Sequence, residues 1–149
     1  MIVNYKKLND RAIEPVCGSE YAAGLDLCAL IQNGAKAQRI PAGATVKIGT
    51  GIAMEIPKGY FGAVFARSGM ATKRGLRPAN CVGVIDADYR GEIIVALHND
   101  SDKCETIHDG DRVAQLVIMP YLGVQLNEVH ELNDTERGAG GFGSTGTSA

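Results

Sequence analysis

Val46-Lys-Ile-Gly-Thr-Gly-Ile-Ala-Met-Glu-Ile56 decides the fold class. Its large apolar residues, Val46, Ile48, Ile52, Met54 and Ile56, all fall on even positions. A period of two buries one face of an extended chain and leaves the other among polar groups. Pro57-Lys58-Gly59 then reads as a turn, and Tyr60–Phe65 as a second strand. Further along, 92–97 is a short, nearly unbroken apolar run, expected to be a strand buried on both faces. Residues 113–119 predict another strand, stopped by Pro120, and 123–129 a last one. No window holds a 3.6-residue period, so the one helix expected is a turn or two after Ser68. Glycine supports many tight turns: 19 of 149 residues, nearly twice the usual frequency. There is no internal repeat. The expectation is an all-β chain folded as a sandwich, jelly roll or barrel.

Length and charge narrow the function. A chain of 149 residues fits one domain with a real core. A formal charge of -2 supplies no basic field for a nucleic acid polymer, yet leaves room for one nucleotide held by a few cations. No apolar run approaches the ~20 residues that span a membrane. Residues 1–11 turn charged after two apolar residues, unlike a signal peptide. A soluble, cytoplasmic protein is expected. Cys17, Cys28, Cys81 and Cys104 lack C-x-x-C spacing and a histidine cluster, so zinc is not expected. They read as buried free thiols in a reducing compartment.

Several motifs are decoys. Gly138, Gly140 and Gly143 spell G-x-G-x-x-G, but too little chain follows for a dinucleotide fold. Asp86-Ala-Asp88 starts like a calcium loop and then offers Arg90 and Leu97 at ligand positions. There is no P-loop. His98, His108 and His130 sit in unrelated contexts.

Five segments have the composition of a site. Ala23-Gly24-Leu25-Asp26-Leu27 puts an acid inside an apolar strand, where a carboxylate must be paired, hydrated or near a metal. Arg67-Ser68-Gly69 joins a strand to the short helix and gathers anion-binding donors; on its own it reads equally as a helix N-capped by Ser68. From Asn80 to Glu92 the chain reads as strand, turn, strand: a hairpin with acids and one tyrosine at its tip. Such a tip can offer backbone groups to a base edge and a carboxylate as general base. Gly110-Asp111-Arg112-Val113-Ala114-Gln115-Leu116 sets a glutamine that needs partners among strand apolars. Last, 137–149 has the composition of a flexible glycine-rich tail, yet carries an arginine, a phenylalanine and a Ser-Thr pair.

Taken in order, A-G-L-D-L from Ala23, R-S-G from Arg67, G-V-I-D-A-D-Y-R-G-E from Gly83, G-D-R-V-A-Q-L from Gly110 and R-G-A-G-G-F-G-S-T-G from Arg137 cover nearly the whole chain. With these five motifs the chain resembles the trimeric dUTPase family. The resemblance implies a jelly-roll-like β-barrel over 1–136, with 137–149 as a C-terminal lid. It implies a homotrimer whose sites draw on all three chains: the first, second and fourth motifs from one, the hairpin from another, the tail from a third. It implies hydrolysis of dUTP to dUMP and pyrophosphate with Mg2+. By position, Asp86 would activate the attacking water and Tyr89 would pack on the deoxyribose. Asn80 and the backbone of Val84, Ile85 and Asp86 would read uracil. Arg67, Ser68, Gly69 and Gln115 would hold phosphates. Arg137, Gly143, Ser144 and Thr145 would close over the γ-phosphate while Phe142 stacks on uracil. Asp26 would hold waters around magnesium. Ala66 stands where many members have proline before R-S-G, a change that leaves Arg67 and Ser68 in place. Two alternatives remain open at the level of sequence: a dCTP deaminase, with or without dUTP hydrolysis, on the same fold, and a non-enzymatic nucleotide-sensing module.

Overall fold

The stretch from Val46 to Ile56 is two strands and a corner between them. In the computed structural model, which describes residues 1–141, β5 (Thr45–Gly49) and β6 (Ile52–Glu55) lie in different sheets. The chain crosses between them at Thr50 and at Gly51, whose φ of 67° is a left-handed conformation that suits glycine. The even-numbered apolar residues still point inward on both sides of the corner: Ile48, Ile52, Met54 and Ile56 are all buried.

The other strands are β1 (Asn4–Lys7), β2 (Val16–Cys17), β3 (Leu25–Cys28), β4 (Ala37–Ile40), β7 (Tyr60–Phe65), β8 (Leu76–Pro78), β9 (Gly83–Ile85), β10 (Ile94–Asn99), β11 (Glu105–His108) and β12 (Arg112–Pro120). The helix described is α1 (Ser68–Arg74). All pairings are antiparallel and form sheets ordered β1-β6, β5-β10-β8, β11-β4 and β2-β3-β12-β7-β9. This is a β-rich, jelly-roll-like fold. Leu27, Ile40, Ile52, Leu97, Ile107 and Leu116 are among the fully buried side chains. Each contributes roughly 1.5–3 kcal/mol by leaving water. Among the described residues, no helix is long and apolar enough to cross a membrane.

Four expectations need correction. Residues 92–97 are not a strand buried on both faces: β10 starts at Ile94 and alternates, with Ile94 exposed and Val95, Leu97 and Asn99 buried. Continuous apolar sequence concealed a half-buried strand because Ile93, which precedes it, is packed in the core. The strand expected over 123–129 does not form: 121–130 is exposed throughout and contains no strand. The pattern is present, with Leu122, Val124 and Leu126 on alternate positions, but a strand needs a paired edge. The segment from Asn80 to Glu92 is not a hairpin with mutually paired arms, for β9 joins β7 and β10 joins β5 and β8. Finally, the cysteines are free but not buried. Cys17, Cys81 and Cys104 are exposed, on a two-residue edge strand and in loops, and Cys28 is half-buried.

Candidate active site

Three of the motifs converge through strand register. Gln115 of β12 lies opposite Asp26 of β3 on one side and Phe65 of β7 on the other. Arg67 follows two residues after Phe65, so the first, second and fourth motifs meet where β7 runs into α1. Asp26 is buried, with 8% of its surface exposed, and each of its carboxylate oxygens accepts one hydrogen bond. Arg67 Nε donates to Oδ1 at 2.8 Å and Arg112 Nη1 to Oδ2 at 3.1 Å. One carboxylate between two guanidiniums leaves a net positive corner, and both arginine side chains remain partly open to solvent. Such charge-assisted pairs also fix the direction of the guanidinium planes.

Gln115 holds the same corner from its backbone side. Its Nε2 donates to the Ala66 carbonyl at 2.9 Å, just before Arg67. A Cβ on Gly24 would lie 3.0 Å from Gln115 Oε1, so glycine there gives the amide its room. Ser68 and Gly69 are exposed in the first turn of α1. Arg67, not Ser68, occupies the N-cap position, and it makes no side-chain cap bond. The first-turn N–H groups therefore add donors beside the arginines.

The third motif gathers at the other end of β7. Gly62 of β7 pairs with Ile85 of β9, and Val64 with Gly83. Asp86, one residue past Ile85, consequently lies beside Phe61, while Arg67 lies beyond Phe65. At ~3.3 Å per strand residue, this is roughly 20 Å of backbone between Phe61 and Arg67. β9 is the edge of its sheet, so one side of its backbone has no strand partner. A recess of about 170 Å3 opens there, lined by Val84, Ile85, Asp86, Tyr89, Glu92 and Ile94. Asp86 is exposed and also borders a wider groove of about 870 Å3 shared with Glu55, Lys58, Asp88, Arg90 and Tyr121. The turn beyond Asp86 is tied by Tyr89 N to the Asp86 carbonyl at 3.1 Å, and by Arg90 Nη1 to the carbonyls of Ala87 at 2.7 Å and Tyr89 at 3.0 Å. Asn80 precedes β9 in an exposed loop and does not line the recess.

Edge backbone, a carboxylate and a tyrosine lie at one place and a cationic corner at another, groups with the chemistry to meet a base, a sugar and phosphates. A family profile described as dUTPase matches residues 10–146. The chain belongs to the dUTPase family. A deoxyuridine 5'-triphosphate nucleotidohydrolase of Nautilia profundicola is 46% identical over 146 residues, covering 98% of this chain and 99% of its own. One from Desulfitobacterium hafniense is 50% identical over 128 residues, covering 85% and 83%. Among solved structures, the Staphylococcus bacteriophage 80alpha dUTPase with dUPNHPP superposes with a TM-score of 0.86 at 29% identity, over 98% of this chain and 99% of that one. As a dUTPase, the chain is a dUTP diphosphatase: it hydrolyses dUTP to dUMP and pyrophosphate.

That activity gives the remaining residues their context. Arg137 makes its described bond within its own turn, Nε to the Gly140 carbonyl at 2.9 Å, on an exposed segment. Phe142, Gly143, Ser144 and Thr145 lie outside the described residues. Sequence reasoning quoted Arg112 without giving it a role, although an arginine three residues before Gln115 on the same strand was the available signal. Among the described residues, no three His, Cys, Asp or Glu side chains come together as a metal cage. Asp26 nevertheless keeps a free lone pair on each oxygen. The donor set therefore fits magnesium that arrives on a triphosphate and touches Asp26 through water, the usual habit of that ion.

Proposed function

We propose that dUTP is hydrolysed here in a site assembled from three copies of the chain, with Asp86 as the general base. The observation that carries this reading is the separation of Asp86 and Arg67 by the length of β7. An attack at the α-phosphorus requires the base to reach a water that also touches that phosphorus. A span of roughly 20 Å of backbone between them favours an Asp86 and an Arg67 that reach the same triphosphate from different copies.

In this reading uracil lies against the open edge of β9, where Val84, Ile85 and the backbone of Asp86 read its polar edge, with Asn80 alongside. Tyr89 packs on the deoxyribose and leaves no space for a 2′-hydroxyl. A second copy contributes Arg67, Ser68, Gly69 and Gln115 to the phosphates, its Asp26 keeping Arg67 in line. The tail of a third copy, 137–149, closes with Arg137, Gly143, Ser144 and Thr145 at the γ-phosphate and Phe142 over the base. Asp86 takes a proton from water as its oxygen bonds to the α-phosphorus. The bond from that phosphorus to the bridging oxygen breaks, and pyrophosphate leaves. Asp26 would hold, through water, a magnesium ion brought by the triphosphate, and that ion would supply charge neutralisation there. Positioning and charge neutralisation suffice for such a transfer, without a covalent intermediate. A closed lid keeps out competing water. The working place of such an enzyme is the cytoplasm.

The test is a panel of nucleoside triphosphates with magnesium. dUTP alone should turn over efficiently, with pyrophosphate as co-product. Release of orthophosphate would refute attack at the α-phosphorus, and comparable turnover of UTP would refute the sugar reading.

A further inference from the structure

Tyr89 does not hold its own position. Its hydroxyl donates to the Glu92 carbonyl at 3.0 Å, and the hydroxyl end of its ring lies against Gly91. A Cβ at Gly91 would stand 2.5 Å from the tyrosine oxygen and 2.6 Å from the carbon bearing it. The ring thus occupies the space that a side chain at residue 91 would need. The acceptor of that hydroxyl is anchored in turn. Glu92 Oε1 accepts from Gly51 N at 2.7 Å, at the corner between β5 and β6. A Cβ on Gly49 would lie 2.6 Å from the same oxygen. The carboxylate is therefore seated against a bare-backbone Gly49-Thr50-Gly51 corner. Thr50 completes the attachment: its buried hydroxyl donates to the Ile93 carbonyl at 2.7 Å, while Ile93 N donates to the Ile52 carbonyl at 2.8 Å.

We infer that Glu92 is a positioning residue for sugar selection, holding Tyr89 against Gly91 by clamping the Tyr89–Glu92 turn to the Gly49-Thr50-Gly51 corner. The inference rests on the reading that Tyr89 packs on the deoxyribose. The Glu92 side chain faces the corner and acts only through its backbone carbonyl and the turn it fixes. A ring free to swing would leave space at C2′, so a loosened clamp admits UTP more than it harms dUTP.

The experiment compares kcat and KM for dUTP and UTP in the wild type and in Glu92→Gln, Glu92→Ala, Tyr89→Phe and Tyr89→Ala, after confirming folding and oligomeric state. Glu92→Gln keeps an oxygen for Gly51 N and should retain selectivity. Glu92→Ala and Tyr89→Phe should each lower the dUTP-to-UTP ratio of kcat/KM about five- to tenfold, the scale of one lost hydrogen bond. The change should appear chiefly in UTP. Tyr89→Ala should lower the ratio further. If Tyr89→Ala leaves the ratio unchanged, the sugar reading of Tyr89 falls and this inference with it. If Tyr89→Ala lowers the ratio while Glu92→Ala and Tyr89→Phe do not, the sugar reading stands and the clamp is overturned. Should Glu92→Ala fail to fold, Glu92→Asp decides, since its shorter carboxylate withdraws from Gly51 N while the Tyr89 hydroxyl and its carbonyl acceptor stay: an unchanged ratio overturns the clamp.

Discussion

At the scale of the residue, Asp86 and Asp26 show how one side chain takes two uses from two surroundings. Asp26 is buried between Arg67 and Arg112, and each of its oxygens accepts one hydrogen bond. Asp86 is exposed at the rim of the recess, free to meet a water. Asp86→Asn should keep dUTP affinity within a few-fold and lower kcat by about 10²-fold or more, the loss expected for a general base. Binding of a non-hydrolysable analogue beside steady-state turnover separates the two effects. The cysteines give a second prediction. Burial, and after it the Asp26 carboxylate, pushes the Cys28 thiol up, while Arg112 and Arg67 pull it the other way. A raised pKa means less thiolate at any pH below it, and thiolate is the reactive form. Iodoacetamide at neutral pH should therefore label Cys28 more slowly than exposed Cys17, Cys81 and Cys104. Peptide mapping by mass spectrometry gives the order, and first labelling at Cys28 would contradict it. Residue types such as Arg67, Gln115 and Asp86 were legible in the sequence because each is costly or idle in its place without a ligand or partner. The clamp of Glu92 on Gly51 was not, because nothing local links positions 51 and 92.

At the scale of the element, corners carry more of the design than strands. The even-numbered apolar pattern lapses only at Thr50 and resumes in phase at Ile52, so it did not announce a corner, since strands in two sheets can bury the same parity. Likewise, the run from Asn80 to Glu92 has the spacing of a hairpin whether its arms pair with each other or leave for different sheets. Only long-range pairing, of β9 with β7 and of β10 with β5, decides it. The exposed alternation of Leu122, Val124 and Leu126 shows the reverse case, a strand pattern that joins none of the sheets of the described residues. The corner predicts its own sensitivity. Gly51→Ala would place a Cβ 2.6 Å from Leu30 Cδ2 and 2.8 Å from Ala12 Cβ, at a φ of 67°. Crowding and backbone conformation together should cost roughly 1–3 kcal/mol. Urea unfolding measures it, and an unchanged midpoint would show that the corner relaxes freely.

At the scale of the whole molecule, β7 is a spacer that sets Asp86 and Arg67 at opposite ends, and in the proposed function each end holds one half of the chemistry. A site shared among copies predicts complementation between two defective chains. Chains lacking 137–149 and full-length Asp86→Asn chains should each be nearly inactive as pure trimers. Co-refolded mixtures should regain activity, because some sites then combine an intact Asp86 from one subunit with a tail from another. Size-exclusion chromatography verifies the mixed trimers and a pyrophosphate assay reads them; absence of rescue would mean that each site is built within one chain. The sequence alone made the family and its residues readable but not this geometry, since the distance from Asp86 to Arg67 follows from the pairing of β9 with β7. That spacing has a consequence for a newly made polypeptide. If the site is shared as proposed, such a chain would stay silent until it met two siblings. On that reading, turnover per chain should fall steeply on dilution below the assembly range, whereas a site built within one chain would keep it constant.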